Sequence, residues 1–451
     1  MLFNSFAFMF LFLPAALAGY QLLRKYGIAW LGLCSLFFYA WWDWRFLPLL
    51  LMSICFNYGA GRALCSLQGR SRDAALWAAL AIDLGLLGWF KYAGFLSGID
   101  PGLPLPIGIS FFTFTQIAFL VDCWCGIARE PRFAPYLLFV SYFPHLVAGP
   151  VLHHAEMMPQ FHNGRSLRTE DLAMGLTIFA LGLAKKVLLA DNLAPLANPL
   201  FGAAGAPQML EAWIGTLAYS MQLYFDFSGY SDMAIGLSRL FGVRLPENFD
   251  SPYQARNISD FWRRWHMTLS RFLRDYLYIP LGGNRGGEWK RRRNLMLTMV
   301  LGGAWHGAGW NFIAWGALHG MFLVLQQRFG GGRAGWWTRP LTFVAVLLAW
   351  VPFRAPDLRS ALDIWGGMAG LHGVGLPHAL GGPGLHWIPA GGMELPLLFA
   401  ASLIAWFAPN TRQLLARHWS DTLRHAGAVA AVLLACVFNM NRPTEFLYFQ
   451  F

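Results

Sequence analysis

Three histidines lie where an ionisable ring is costly, and they define the chemistry that this sequence could carry. His306 sits inside 294–327, thirty-four residues without Asp, Glu, Lys or Arg. If helical from Arg293, the chain would carry His306 roughly 20 Å away from that charge. His266 and His319 lie in similarly aromatic surroundings. Imidazole transfers protons near neutral pH and also binds metals, so the sequence indicates acid–base chemistry or a histidine-liganded metal site.

Each histidine also has a structural alternative, a neutral ring hydrogen-bonded between helices. For His306 the neighbouring glycines and tryptophans favour chemistry, because they predict close backbone approach within aromatic walls. A continuous helix would place His319 about 220° around from His306, so the two rings can share a face only if the helix breaks at these glycines. The residues concerned are Gly302, Gly303, Gly307, Gly309, Trp305, Trp310 and Trp315.

Two carboxylates, Asp226 and Asp232, lie in the largely apolar run QLYFDFSGYSDMAIG and are candidate supporting residues. A buried carboxylate either pairs with a cation or relays protons. Lys185 and Lys186 are the candidate partners, and structural pairing is the favoured interpretation. Asp83 presents the same alternatives.

The composition predicts an all-α polytopic membrane protein. Of 451 residues, 56% are apolar and 13% are charged, against about 25% charged in soluble domains, which argues against a soluble enzyme and against disorder. Apolar tracts recur along the chain, several broken by Pro and Gly. We therefore expect one membrane-embedded domain over 1–451, with about eleven spans plus re-entrant and interfacial helices around a tunnel. The Gly- and Pro-rich stretch 366–393 reads as an extramembrane loop.

The positions of the charged residues indicate which side of the membrane the ends of the spans face. No Lys or Arg precedes the first apolar tract, and Arg24 and Lys25 follow it, which predicts an uncleaved first span with an extracytoplasmic N-terminus. Residues 255–294 hold ten Lys and Arg against three Asp and Glu. Because this stretch lies between apolar tracts, positive-inside placement explains it better than nucleic-acid binding.

Residues 256–275 within that stretch predict one amphipathic helix in the cytoplasmic interface. Its basic face would meet lipid headgroups or an anionic ligand, and guanidinium groups suit phosphate. The candidate phosphate-binding residues are Arg263, Arg264, Arg271 and Arg274.

Several long motifs then carry a family resemblance. The run from YSMQLYFDFSGYSDMAIG through FWRRWHMTLSRFLRDYLYIPLGGNRGG, followed by LGGAWHGAGWNFIAWGALHG, resembles the bacterial branch of the membrane-bound O-acyltransferases, and more closely the membrane proteins of alginate and cellulose O-acetylation. The similarity is densest over 219–321. It extends more loosely to the N-terminal FNSFAFMFLFLP and the C-terminal FLYFQF (446–451).

The resemblance implies a fold and a set of roles. The family fold is a helical bundle with a tunnel through the membrane. His306 matches the catalytic histidine and His266 the second active-site position, while His319 matches a motif position to which we assign no role. His145, in FPHLVAGP, departs from the family pattern, in which Gln is common.

The function that follows is acetyl transfer from cytoplasmic acetyl-CoA across the bacterial inner membrane, with no permanently bound cofactor and no metal. Periplasmic acetyltransferase partners would then acetylate an exported polysaccharide such as alginate or cellulose. We hypothesise that His306 takes the hydroxyl proton while His266 orients the acyl group or stabilises the oxyanion. Tyr448 would be a transient acyl acceptor or, alternatively, a terminal aromatic anchor. A transporter or channel for an anionic solute is the alternative function.

Overall fold

A computed structural model describes residues 1–98, 102, 104–129, 132–161, 166–202, 205–329, 335–375, 392–420, 422–440 and 446–447. The chain forms two compact units. Unit one comprises Met1–Leu183, Tyr230–Glu247 and the described residues of Ser420–Phe449. Unit two comprises Ala184–Gly229 and Asn248–Trp419. The single domain expected over 1–451 stays a prediction.

Unit one is helical throughout its described residues. The π-helix Ala7–Phe12 leads directly into the first α-helix. The α-helices are Leu13–Leu22, Gly27–Asp43, Leu47–Ser66, Gly69–Ser97, Ile109–Trp124, Phe133–Ser141, His154–Met157, Thr169–Ala184 and Leu423–Asn439, together with the end of Met209–Leu240. Phe8, Phe12, Phe38 and Phe143 pack into one aromatic cluster of its core.

Unit two holds the three candidate histidines. The π-helix Lys185–Ala190 precedes its first α-helix. Its α-helices are Asp191–Gly202, the first part of Met209–Leu240, Ile258–Trp262, Met267–Leu273, Glu288–His306, Trp310–Phe329, Thr338–Arg354, Leu358–Met368, Glu394–Phe407 and Thr411–His418. A second π-helix, Arg274–Tyr278, follows Met267–Leu273.

Local sequence explains where several of these helices begin. The Asn257 side chain accepts from the Asp260 N–H, and the Asp357 side chain accepts from the Ser360 N–H at 2.8 Å. Asn410 and Gln413 form a capping box at the start of Thr411–His418. Such caps satisfy N–H groups that have no partner inside the helix.

The all-helical prediction is confirmed for the described residues, but the number of spans is not. Three helical segments there are long and apolar enough to cross a membrane: Arg24–Ser66, Gly69–Ser97 and Thr169–Gly202. Other apolar helices, such as Ile109–Trp124 and Glu394–Phe407, are shorter. The count of about eleven therefore stays unconfirmed.

The continuous helix predicted over 256–275 is wrong. Ile258–Trp262 and Met267–Leu273 are separate short helices, and His266 between them has a φ of 44°. This left-handed conformation cannot continue a right-handed helix. In 366–393, helix Leu358–Met368 takes the first three residues, and 376–391 lie outside the described residues.

Candidate active site

Two antiparallel helices of unit two, Glu288–His306 and Trp310–Phe329, form a tight hairpin around the break at 307–309. A Cβ built on Gly303 would lie 2.3 Å from the Phe312 carbonyl oxygen. One built on Gly316 would lie 2.3 Å from the Met299 carbonyl oxygen. Only glycine allows the two backbones to approach so closely. The break predicted from the glycine pattern is therefore present, and it falls directly after His306.

His306 ends the first helix of this hairpin and is 6% exposed. Its ring lies edge-on to aromatic neighbours, with centroid distances of 5.0 Å to Trp315 and 5.2 Å to Phe353. Trp305 packs on it at 4.9 Å. Of the three tryptophans expected as aromatic walls, Trp305 and Trp315 contact His306, whereas Trp310 is 63% exposed. The walls present exclude most of the water from this imidazole.

His319, on the second helix of the hairpin, is fully buried. The Trp262 indole N–H donates to its Nδ1 at 3.3 Å, and the Phe261 ring stacks on it at 6.1 Å. Its centroid also lies 5.0 Å from the Trp315 ring. Because the helix breaks at 307–309, His306 and His319 contact the same tryptophan.

His266 is held in the turn between the two short helices and is 1% exposed. Left-handed backbone at a residue other than glycine costs of order 1–3 kcal/mol, and such strain clusters at functional sites. The ring packs edge-on against Phe227 at 4.8 Å, and its Nδ1 lies 3.1 Å from the Asn248 side-chain oxygen. Trp305 lies 6.4 Å away and adjoins His306, so one indole neighbours both histidines.

Asp226 pairs with Lys186, which confirms the favoured structural interpretation. The Lys186 ammonium lies 2.7 Å from an Asp226 oxygen and 2.9 Å from an Asp191 oxygen. The lysine and Asp226 are almost fully buried, while Asp191 is partly exposed. Asp232 is also buried but belongs to unit one. In that unit Asp83 accepts a hydrogen bond from the Asn57 amide at 2.9 Å.

The four candidate phosphate-binding arginines differ in what they already contact. Arg264 pairs with Asp260 at 2.8 Å and Arg274 pairs with Asp275 at 2.7 Å. Arg263 is exposed and Arg271 is partly exposed. Burial opposes ionisation of Asp260, but hydrogen bonds from the Arg264 side chain and the Arg256 N–H outweigh it and lower the pKa of this carboxyl.

The remaining predicted positions are His145 and Tyr448. His145, in unit one, is buried, and its Nε2 lies 2.8 Å from the Phe139 carbonyl oxygen, to which this nitrogen donates a hydrogen bond. Tyr448 lies outside the described residues, although Phe446 just before it is buried against Tyr230. Within the described ranges, no group of three His, Cys, Asp or Glu side chains is arranged to hold a metal ion.

Sequence reasoning missed two contacts of the site. Asn248 lies eighteen residues before His266, and Phe353 lies on a separate helix. No helical or strand periodicity connects Asn248 to His266, because their contact depends on the left-handed turn. The one available signal was an amide residue in a loop that precedes a histidine-containing motif.

Residues 113–351 match the model of the membrane-bound O-acyltransferase family. The match covers more than half of the chain and includes the histidine cluster, which consists of His266, His306 and His319. The chain belongs to the membrane-bound O-acyltransferase family, as its motifs predicted, and is therefore a membrane acyltransferase.

Particular relatives are named for the transfer of acetyl or D-alanyl groups. The peptidoglycan O-acetyltransferase of Helicobacter pylori is 45% identical over 430 residues, covering 84% of this chain and 81% of the relative. The probable alginate O-acetylase AlgI of Pseudomonas aeruginosa is 45% identical over 390 residues, covering 82% and 75%. The teichoic acid D-alanyltransferase of Streptococcus thermophilus is 30% identical over 234 residues, covering 49% and 56%.

Proposed function

We propose that the protein takes an acetyl group from cytoplasmic acetyl-CoA and passes it across the bacterial inner membrane for O-acetylation of an exported polysaccharide, such as alginate or cellulose. The names of its relatives support acetyl as the transferred group and a cell-envelope polymer as its destination. Acetyl-CoA is a substrate in this proposal, and no cofactor is held permanently.

The observation that carries the proposal is His306, an imidazole at a helix break between Trp305, Trp315 and Phe353. In the proposed reaction His306 takes the proton of an attacking hydroxyl. A C–O bond forms at the thioester carbon, the C–S bond breaks, and the CoA thiolate leaves and recovers the proton. A positioned general base contributes typically 10²–10⁴-fold.

We further propose how each substrate arrives. The arginine-rich surface around Arg263 and Arg271 would bind the phosphates of acetyl-CoA on the cytoplasmic side. The N-terminus would be extracytoplasmic. Tyr448 would accept the acetyl group transiently and pass it to a periplasmic acetyltransferase partner. Surrounding lipid completes the set of partners.

Purified protein tests the proposal directly. With acetyl-CoA and a hydroxyl acceptor, free CoA should be released by the wild-type protein and not by His306→Ala. A protein that moves an anionic solute across vesicles without releasing CoA would support the transporter alternative and contradict ours. Acyl analysis of the exopolysaccharide, with and without the gene, then identifies the polymer.

A further inference from the structure

Asn248 stabilises the turn that contains His266 through four polar contacts. Its backbone carbonyl accepts from the Met267 N–H at 3.0 Å. Its side-chain oxygen lies 3.3 Å from the Thr268 backbone nitrogen, 2.9 Å from the Thr268 hydroxyl and 3.1 Å from the His266 Nδ1. His266 occupies the left-handed region, so these contacts hold a turn that the backbone alone disfavours.

The Thr268 N–H fixes which end of the Asn248 amide faces His266. A backbone N–H can only donate, so the amide atom that it meets must be the oxygen and not the NH₂ group. Amide oxygens only accept, and the His266 Nδ1 that contacts the same oxygen must therefore carry a proton. The hydrogen bond at one ring nitrogen decides the protonation of the other.

We propose that Asn248 is a positioning residue that holds neutral His266 with its proton on Nδ1, so that Nε2 meets the substrates as a hydrogen-bond acceptor. His319 provides the contrast within the same cluster. Its Nδ1 accepts from the Trp262 indole N–H, which can only donate, so neutral His319 carries its proton on Nε2. The two histidines therefore have opposite tautomers.

Two roles are hypothesised for His266, orienting the acyl group and stabilising the oxyanion. The tautomer excludes the second. A thioester carbonyl oxygen, or the oxyanion formed from it, offers only lone pairs, and a neutral Nε2 that is itself an acceptor cannot stabilise it. The ring instead binds an O–H or N–H group. The identity of this donor rests on the proposed function, in which the site takes acetyl-CoA. The donor is then either the hydroxyl of the acceptor or the pantetheine amide nearest the thioester.

The tautomer can be measured without any activity. We would label the histidines of the full-length protein with ¹⁵N in lipid nanodiscs, and assign His266 by difference from His266→Gln. The expected ¹⁵N pattern is a protonated Nδ1 and an unprotonated Nε2. Asn248→Asp keeps an oxygen acceptor and should retain this pattern, whereas Asn248→Leu should lose it. A wild-type His266 protonated on Nε2 would overturn the proposal, even if no variant folds.

Kinetics test the positioning role separately. Asn248→Leu should lower kcat by at least about tenfold, as the loss of comparable supporting contacts does, with little change in KM for acetyl-CoA. Asn192→Leu, which removes an amide that donates to the nearby Val187 and Leu188 carbonyls, is the matched control. An unchanged kcat in a folded Asn248→Leu protein would contradict the assignment.

Two small thioesters identify the bound donor. Acetyl-N-acetylcysteamine keeps the amide N–H, and S-propyl thioacetate lacks it. If the amide is the donor, wild-type protein should prefer the first thioester and Asn248→Leu should lose that preference. If the hydroxyl is the donor, Asn248→Leu should react more slowly than wild type with both thioesters, and by the same factor. If Asn248→Leu reacted with both thioesters as fast as wild type, the proposal would be overturned. A correct tautomer in a wild-type protein that releases no CoA would refute the proposed function alone.

Discussion

His306 and His319 lie on opposite arms of a helical hairpin and contact one ring, each with its centroid 5.0 Å from that of Trp315. On a continuous helix the thirteen residues between them would turn the two rings about 220° apart. The break at 307–309 reverses the chain and brings the second histidine back to the first. The hairpin, and not helical periodicity, therefore assembles the histidine cluster.

Replacement of His306 tests the proton-transfer role. We expect His306→Ala to lower acetyl transfer by about 10²–10⁴-fold, because the variant lacks the proposed general base. Release of CoA by purified protein measures the effect. His418→Ala removes an exposed histidine of the same unit and should leave the rate unchanged. Full activity of His306→Ala at normal membrane abundance would refute the assignment.

The close approach of the hairpin arms is testable at Gly316. Its added methyl group would meet the Met299 carbonyl oxygen at 2.3 Å, and overpacking of this kind costs about 1–3 kcal/mol. Gly316→Ala should therefore lower the thermal unfolding temperature in detergent, together with acetyl transfer. Gly88→Ala is the control, because nothing lies within 4 Å of its added Cβ, and it should be neutral or slightly stabilising. Equal unfolding temperatures for the two variants would contradict the hairpin packing.

The sequence predicted the helical class, a break among the glycines around His306, the aromatic neighbours Trp305 and Trp315, and a lysine partner for Asp226 that was either Lys185 or Lys186. Each follows from local composition or from the cost of leaving a buried charge unpaired. The sequence did not predict the turn at His266, because the left-handed backbone there is stabilised by Asn248, which lies eighteen residues earlier in the chain. The count of about eleven spans stays unconfirmed. For example, residues 136–152 are an apolar tract that favours a span, but helix Phe133–Ser141 ends within it and turns follow around His145.

The buried ion pair of Lys186 predicts a large and specific loss of stability. Lys186→Met leaves the Asp226 carboxylate buried without its ammonium partner, and removing one member of such a pair costs about 3–5 kcal/mol. We expect a marked drop in folded protein recovered from membranes. Adding Asp226→Leu to Lys186→Met should restore part of it, because no buried charge then remains at that position. Lys290→Met, at an exposed lysine of the same unit, is the control.

If the double variant were no more stable than Lys186→Met, the two side chains would not act as a pair. In that case the partly exposed Asp191, which also contacts the lysine at 2.9 Å, would be the partner whose loss determines stability. Unfolding in detergent, followed by tryptophan fluorescence, distinguishes these cases.

The arginine surface predicts different effects on acetyl-CoA binding. Arg263 is exposed, whereas Arg274 is already paired with Asp275 at 2.7 Å. Arg263→Gln should raise KM for acetyl-CoA several-fold with kcat unchanged, because the lost contact would stabilise the bound substrate and the transition state equally. Arg274→Gln should raise KM less. The KM difference should shrink at high salt, since exposed charges are screened. A larger effect of Arg274→Gln would contradict the proposed contact surface.

Tyr448 can be tested as an acyl acceptor. If this hydroxyl accepts the acetyl group, mass spectrometry of protein incubated with acetyl-CoA should find an additional acetyl group on the C-terminal peptide, and His306→Ala should abolish it. Tyr448→Phe should lower polysaccharide acetylation in cells, because the relay loses its oxygen while an aromatic anchor would be preserved. Tyr26→Phe, at a tyrosine that is 67% exposed, should have no effect. Unmodified Tyr448 in active protein, together with full polysaccharide acetylation by Tyr448→Phe, would instead assign this residue to the interface anchor.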